Sequence, residues 1–249
     1  MRRSELLLVV APLTAALALA DPAPAPTPAP KPGAAPADAN TFVVQDMGLR
    51  IVKPTPWSFI PLDEATASRI GFLLEGAGPE DQKPGSSERI LATRDALARS
   101  ATICKINRWP SNPDLKEPNP GVAVTIQSFL GVDEIPDVKA FAIAGGKPEV
   151  LEKVYHDIQY VDYLVPTTIG EIAGLRSRFT AKVTEKIYKG TLEIEQLFVM
   201  QGRLGICFTF SDSESNWKKS EGDFLAMQRS IALPRVPPPP APPEEHTEP

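Results

Sequence analysis

The placement of proline decides where this chain can build a fold. Of 28 prolines, seven lie between Asp21 and Asn40 and eight between Pro234 and Pro249. A proline has no amide hydrogen and a fixed φ, so segments dense in it neither join a sheet nor continue a helix. From Asp21 to Asn40 proline alternates with alanine at Pro22, Pro24, Pro26, Pro28, Pro30 and Pro32, and there is almost nothing to bury. This stretch reads as an extended spacer. Residues 234–249 form a second such segment, in which Val236–Pro243 has polyproline character and Glu244, Glu245 and Glu248 follow as a solvated acidic end. Such a stretch acts as a linker or as a ligand for proline-recognising grooves. The folded part is therefore expected within Thr41–Leu233.

Arg2 and Arg3 precede an apolar run, Leu6–Ala20, that closes on Ala18-Leu19-Ala20 before Asp21. This charged, apolar, small-residue order is that of a secretory signal peptide, with cleavage expected after Ala20. The run contains Pro12 and is shorter than the roughly 20 apolar residues that cross a bilayer. With no cysteine at the junction for lipidation, the mature chain is expected in the periplasm or outside the cell, with no integral span. Loss of Arg2, Arg3 and Glu5 with the leader leaves a net charge of −6. That balance, without Lys/Arg runs interleaved with aromatics, argues against nucleic acid as a partner. The composition, with 2 Cys, also excludes collagen, a coiled coil, a multi-pass membrane protein and a disulfide-dense miniprotein.

Within the core, Phe42-Val43-Val44 and Leu49–Lys53 flank Gln45–Gly48, a hairpin whose glycine can take positive φ. Pro54, Pro56 and Pro61 forbid regular continuation, and Trp57 and Phe59 are expected to fold a loop onto the core. A turn or two of helix over Glu64–Leu74 and a polar loop over Gly76–Ser87 come next. Ser100–Ile106 and Val122–Ile126 read as neighbouring antiparallel strands flanking the breaker segment Pro110–Gly121. Helical periodicity returns over Asp137–Ile143, stops at Gly145-Gly146 and resumes over Glu149–Val154.

The last third predicts a meander of three strands, Ile172–Ala181, Gly190–Val199 and Arg203–Phe210. By period two, Leu204, Ile206, Phe208 and Phe210 share one face, and Gly205, Cys207 and Thr209 the other. The covering helix follows, with Ser211 or Ser213 as cap, Asp212 and Glu214 in its first turn, and Trp217, Phe224, Leu225, Met227 and Ile231 as its apolar stripe. Gly222 weakens its middle.

The search for chemistry yields little. His156 is the single core histidine, in Tyr155-His156-Asp157-Ile158, and no G-x-S-x-G accompanies it. With Asp157 or Asp162 it could serve as acid and base, but a surface histidine near a strand start is the simpler reading. Asp133, Glu134 and Asp137, or His156 with Asp157, fall short of a metal-ligand pattern and read as helix-start acids and solvated loop. Gly145-Gly146-Lys147 lacks the earlier glycine of a phosphate loop. Trp57 and Trp109 read as core plugs rather than ligand platforms. Cys104 and Cys207 both fall in strands, and export would permit a disulfide between them. Two buried thiols is the alternative.

The order of elements resembles the PsbP-like fold, including the bacterial DcrB-like envelope proteins. The residues that carry it are Gly48–Trp57, the strand text Ala173-Gly174-Leu175-Arg176-Ser177-Arg178-Phe179, the hairpin ending Gly205-Ile206-Cys207-Phe208-Thr209-Phe210, and the final helix from Phe224 to Ile231. The resemblance spans Thr41–Leu233 and lies in order rather than identity. It implies an α+β fold, an antiparallel β-sheet flanked by helices as an α-β-α sandwich, and members that are non-enzymatic accessory or binding modules, extrinsic photosystem II subunits in plants and envelope proteins in bacteria. Gly76–Ser87 and Pro110–Pro120 depart from it as insertions, and no catalytic, cofactor-binding or metal residue of the family is carried over. The expectation is an exported, non-enzymatic accessory or binding module with an envelope protein partner and no cofactor. A small-ligand or metal-binding protein and a hydrolase using His156 are the alternatives.

Overall fold

A computed structural model of the chain describes residues 38–62, 100–110, 118–129, 135–145, 155–184 and 189–235. The expected signal peptide, most of the expected spacer, residues 236–249 and the segments Glu64–Leu74, Gly76–Ser87 and Glu149–Val154 lie outside the described residues. No described helix is long and apolar enough to cross a membrane.

The fold is α+β. Strands β1 (Thr41–Val44) and β2 (Leu49–Val52) form the expected hairpin, with Gly48 at φ 63° closing it. Seven further strands, β3 (Ser58–Phe59), β4 (Ser100–Asn107), β5 (Gly121–Ser128), β6 (His156–Ile169), β7 (Ile172–Thr184), β8 (Lys189–Gln201) and β9 (Leu204–Ser213), make one antiparallel sheet in the order β3-β4-β5-β9-β8-β7-β6. The meander is β7-β8-β9, and β4 and β5 pair as neighbours. The described residues also hold helix α1 (Val138–Gly145), helix α2 (Trp217–Ser230) and a 3-10 turn, Gln45–Met47, between β1 and β2.

Period two places the side chains on the two faces of the sheet. On the front face, Leu204, Ile206, Phe208 and Phe210 of β9 join Val122, Val124 and Ile126 of β5 in one cluster with Trp217, Phe224 and Met227 of α2 and Leu49 and Ile51 of β2. Phe224 is its centre, with ring centroids 5.6 Å from Trp57, 5.6 Å from Phe210 and 5.1 Å from Trp217. Trp57 is buried as expected, and its Nε1 donates to Asp223 of α2 at 2.8 Å. On the back face, Phe141 of α1 packs edge-on against Phe129 and Phe198, beside Cys207. A second back-face cluster gathers Phe179, Ala181 and Val183 of β7 with Leu192 and Ile194 of β8 and Tyr155.

Several expectations need correction. β9 runs on to Ser213, so Ser211, Asp212 and Ser213 are strand residues; the N-cap of α2 is Asn216, without a side-chain cap bond, and no acid lies in the first turn. Leu225 is exposed rather than part of the stripe. Trp109 is exposed, under the Arg108 guanidinium, and is no core plug.

Candidate functional site

The cysteines do not form a bridge. Both are free and buried. Cys104 lies opposite Val124, and Cys207 opposite Thr125, the next residue on β5. Successive strand residues point to opposite faces, so Cys104 belongs to the front cluster and Cys207 to the back one. They also stand two strands apart, about 9.5 Å at ordinary strand spacing, beyond the roughly 7 Å that a disulfide spans. Burial pushes both thiols up to about 12, so neither is a nucleophile at neutral pH.

His156 opens β6 and is exposed. Asp157, at φ 51°, turns its carboxylate to Lys182 Nζ at 2.7 Å, and that hydrogen bond, followed by the Lys182 charge, holds its carboxyl below the usual range. Asp162 accepts from Arg176 Nη2 at 2.8 Å. The two acids named as partners of His156 are each engaged by a cation. Asp137 caps α1, accepting from Ala140 N–H at 2.6 Å. Asp133 and Glu134 lie outside the described residues, among which no group of three His, Cys, Asp or Glu side chains could hold a metal ion.

Two groupings escaped the sequence reading. The first is ionic and lies on the front face beside α2. Arg176 and Arg178 on β7 and Glu193 and Glu195 on β8 share this face, with Arg178 directly opposite Glu195. Arg178 Nε donates to Glu193 at 2.6 Å, its Nη1 lies 3.6 Å from Glu221 of α2, and its guanidinium stands 5.0 Å from the Trp217 ring centre. Glu195 is buried and accepts from Gln228 of α2. Burial raises its carboxyl, against the opposing influence of the Gln228 bond and of Arg176 and Arg178. The spacing Arg-x-Arg facing Glu-x-Glu on successive strands was the available signal.

The second grouping is β6 itself, at the edge of the sheet. Its register against β7 slips between His156 and Gln159, Tyr160 and Asp162, and Asp162 and Val165. Each slip inserts one residue, and a bulge of this kind re-aims side chains and interrupts ladder pairing. The result is an exposed apolar band: Tyr160 (39%), Val161 (63%), Tyr163 (51%) and Val165 (36%). The Tyr160 and Tyr163 rings meet edge-on at 4.8 Å, and Tyr160 also rests 5.4 Å from buried Phe179, which anchors the band to the core. Asp162–Arg176 and Asp157–Lys182, half-exposed and exposed ion pairs, lie on the front face of the same edge, opposite the face on which the Tyr160 ring rests.

No protein-family model matches the chain, and no curated protein matches it in sequence. Among solved structures it is similar to the cyanobacterial PsbP (CyanoP) of Synechocystis sp. PCC 6803, with a TM-score of 0.46 and 9% identity over 82% of this chain and 98% of that one. It is also similar to LpqN, involved in cell envelope biogenesis of Mycobacterium tuberculosis, with a TM-score of 0.42 and 8% identity over 75% of this chain and 83% of that one. These are distant likenesses of outline; the fold class follows from the strands and helices described above.

Proposed function

We infer that the protein is a non-enzymatic accessory module of the cell envelope that binds a protein partner through β6. The observation that carries this reading is the exposed edge segment Tyr160-Val161-Asp162-Tyr163, anchored on Phe179. Tyrosine is among the residues most enriched at energetic centres of protein interfaces. The three bulges and Pro166 hinder strand addition, so contact is made by side chains. The signal-peptide pattern and the resemblance to PsbP-like and DcrB-like proteins support export and an accessory role. The engagement of Asp157 by Lys182 and Asp162 by Arg176 speaks against the hydrolase alternative.

The test is quantitative capture from the host envelope with the wild-type protein and with Tyr163→Ser. The reading expects one protein in stoichiometric amount with the wild type, and its loss with the variant while far-UV and thermal signatures of folding are kept. Capture that is indifferent to Tyr163→Ser contradicts it.

A further inference from the structure

The front face gives β6 a charged connection to the buried interior. Asp162 lies within the segment Tyr160–Tyr163 and stands opposite Arg178 in the β6–β7 register, yet its carboxylate accepts from Arg176 Nη2 at 2.8 Å. Both side chains of that pair are more than a third exposed, so water screens it and little holds it together. One strand further in, Glu195 of β8 is buried and diagonal to Arg176, whose direct opposite is Leu197. Around Glu195 stand Arg176 and Arg178 of β7, Glu193 of its own strand, Glu221 of α2 and Asp162 of β6. From β9, Phe210 stands opposite Glu195 and Asp212 opposite Glu193, while Gln228 of α2 donates to the Glu195 carboxyl.

The two guanidiniums are not equivalent. Arg178 places Nε at 2.6 Å and Nη2 at 2.5 Å from Glu193 and turns Nη1 to Glu221 at 3.6 Å. Arg176 keeps a buried Nε–H with no acceptor among the described residues. A buried donor left unpaired is costly, and a guanidinium presents its donors as a rigid fork. Arg176 thus has one arm engaged at the surface and one unsatisfied arm inside, where its charge acts on Glu195.

What Arg176 meets there depends on a proton. A protonated Glu195 carboxyl, bonded to Gln228, attracts the guanidinium weakly. Loss of that proton to solvent leaves a buried carboxylate in need of a charged donor, and such a bond away from water is stronger than a screened pair at the surface. Burial raises the Glu195 carboxyl, so this change of charge falls above the ordinary carboxylate range. We propose that Arg176 is a two-position link: with Glu195 protonated it clamps Asp162, and with Glu195 ionised it turns inward and leaves the Asp162 carboxylate on β6 free for a cationic group of a partner. This rests on the reading of β6 as the docking surface and adds its regulation by pH.

An NMR titration of the full chain across the acid-to-neutral range tests the link, read at the Asp162 carboxyl carbon and the Arg176 Nε–H. The proposal expects a second inflection of the Asp162 signal at the Glu195 midpoint. At the same pH, solvent exchange of the Arg176 Nε–H, corrected for the intrinsic effect of pH, should slow about tenfold or more, as a bond to a charged group requires. Both changes should vanish in Glu195→Gln; if that variant does not fold, the wild-type titration decides alone. An Arg176 Nε–H insensitive to the Glu195 midpoint overturns the proposal, even where Asp162 senses the change of field. Persistence of either change in Glu195→Gln also overturns it. Failure of the β6 reading shows differently, as partner capture indifferent to Tyr163→Ser while the coupling of Glu195 to Asp162 remains.

Discussion

Asp223 joins helix α2 to the loop after β2 through one hydrogen bond, from the buried Trp57 indole. Asp223→Ala leaves that N–H unpaired and is expected to cost about 1–3 kcal/mol in urea unfolding, whereas Asp223→Asn, which keeps an acceptor, should recover most of it. Glu195 gives a prediction with a definite sign. Because burial raises its carboxyl, the folded protein holds that proton more tightly than the unfolded chain. Its contribution is present below the ordinary carboxylate range and is lost as pH rises through the raised value. Glu195→Gln removes that loss, so the variant should be more stable than wild type at neutral pH, with a flatter stability profile between acid and neutral; a less stable variant contradicts this. The two buried thiols should be silent to a thiol-reactive disulfide reagent in the native protein, and both should react after denaturation without reductant. Absence of reactive thiol after denaturation would show a bridge that the strand order forbids.

At the scale of elements, α2 is held mainly by Phe224, and Phe224→Ala should lower stability by about 3–5 kcal/mol by calorimetry or denaturant titration. This helix and the β7-β8-β9 meander were legible in sequence because Leu204, Ile206, Phe208 and Phe210 keep strict alternation, and Trp217, Phe224 and Met227 keep helical spacing against them. β6 was not legible as a strand beyond its start at His156. Its three inserted residues break the alternation, Pro166 adds a breaker, and half of its apolar side chains face solvent, so no period survives. The start of α2 misled for a related reason. Ser211 and Ser213 have cap-forming side chains, but pairing with Ile194 and Leu192 keeps both in β9. The cysteines show the limit of reading strands one by one: both were placed in strands, yet strand order and facing, which are tertiary properties, decide whether they meet. The ionic cluster beside α2 likewise needed the β7–β8 register to bring Arg178 opposite Glu195.

For the whole molecule, two proline-rich segments flank in sequence a fold built on a seven-stranded antiparallel sheet and the β1-β2 hairpin. The first meets the fold at Asn40, whose carbonyl accepts from Lys53 N–H at 2.9 Å, and the second leaves beside the β6–β7 turn. In the proposed account the spacer sets the fold apart from its surroundings, and β6 presents the contact surface. Val161 is the most exposed apolar residue of that surface, and Lys218 is exposed on α2. A photo-reactive residue placed at Val161, and in a separate chain at Lys218, tests the central claim in the living host. The account predicts one discrete protein adduct from Val161 and none of that mass from Lys218. No adduct at Val161, or the same adduct from both positions, would contradict β6 as the binding surface.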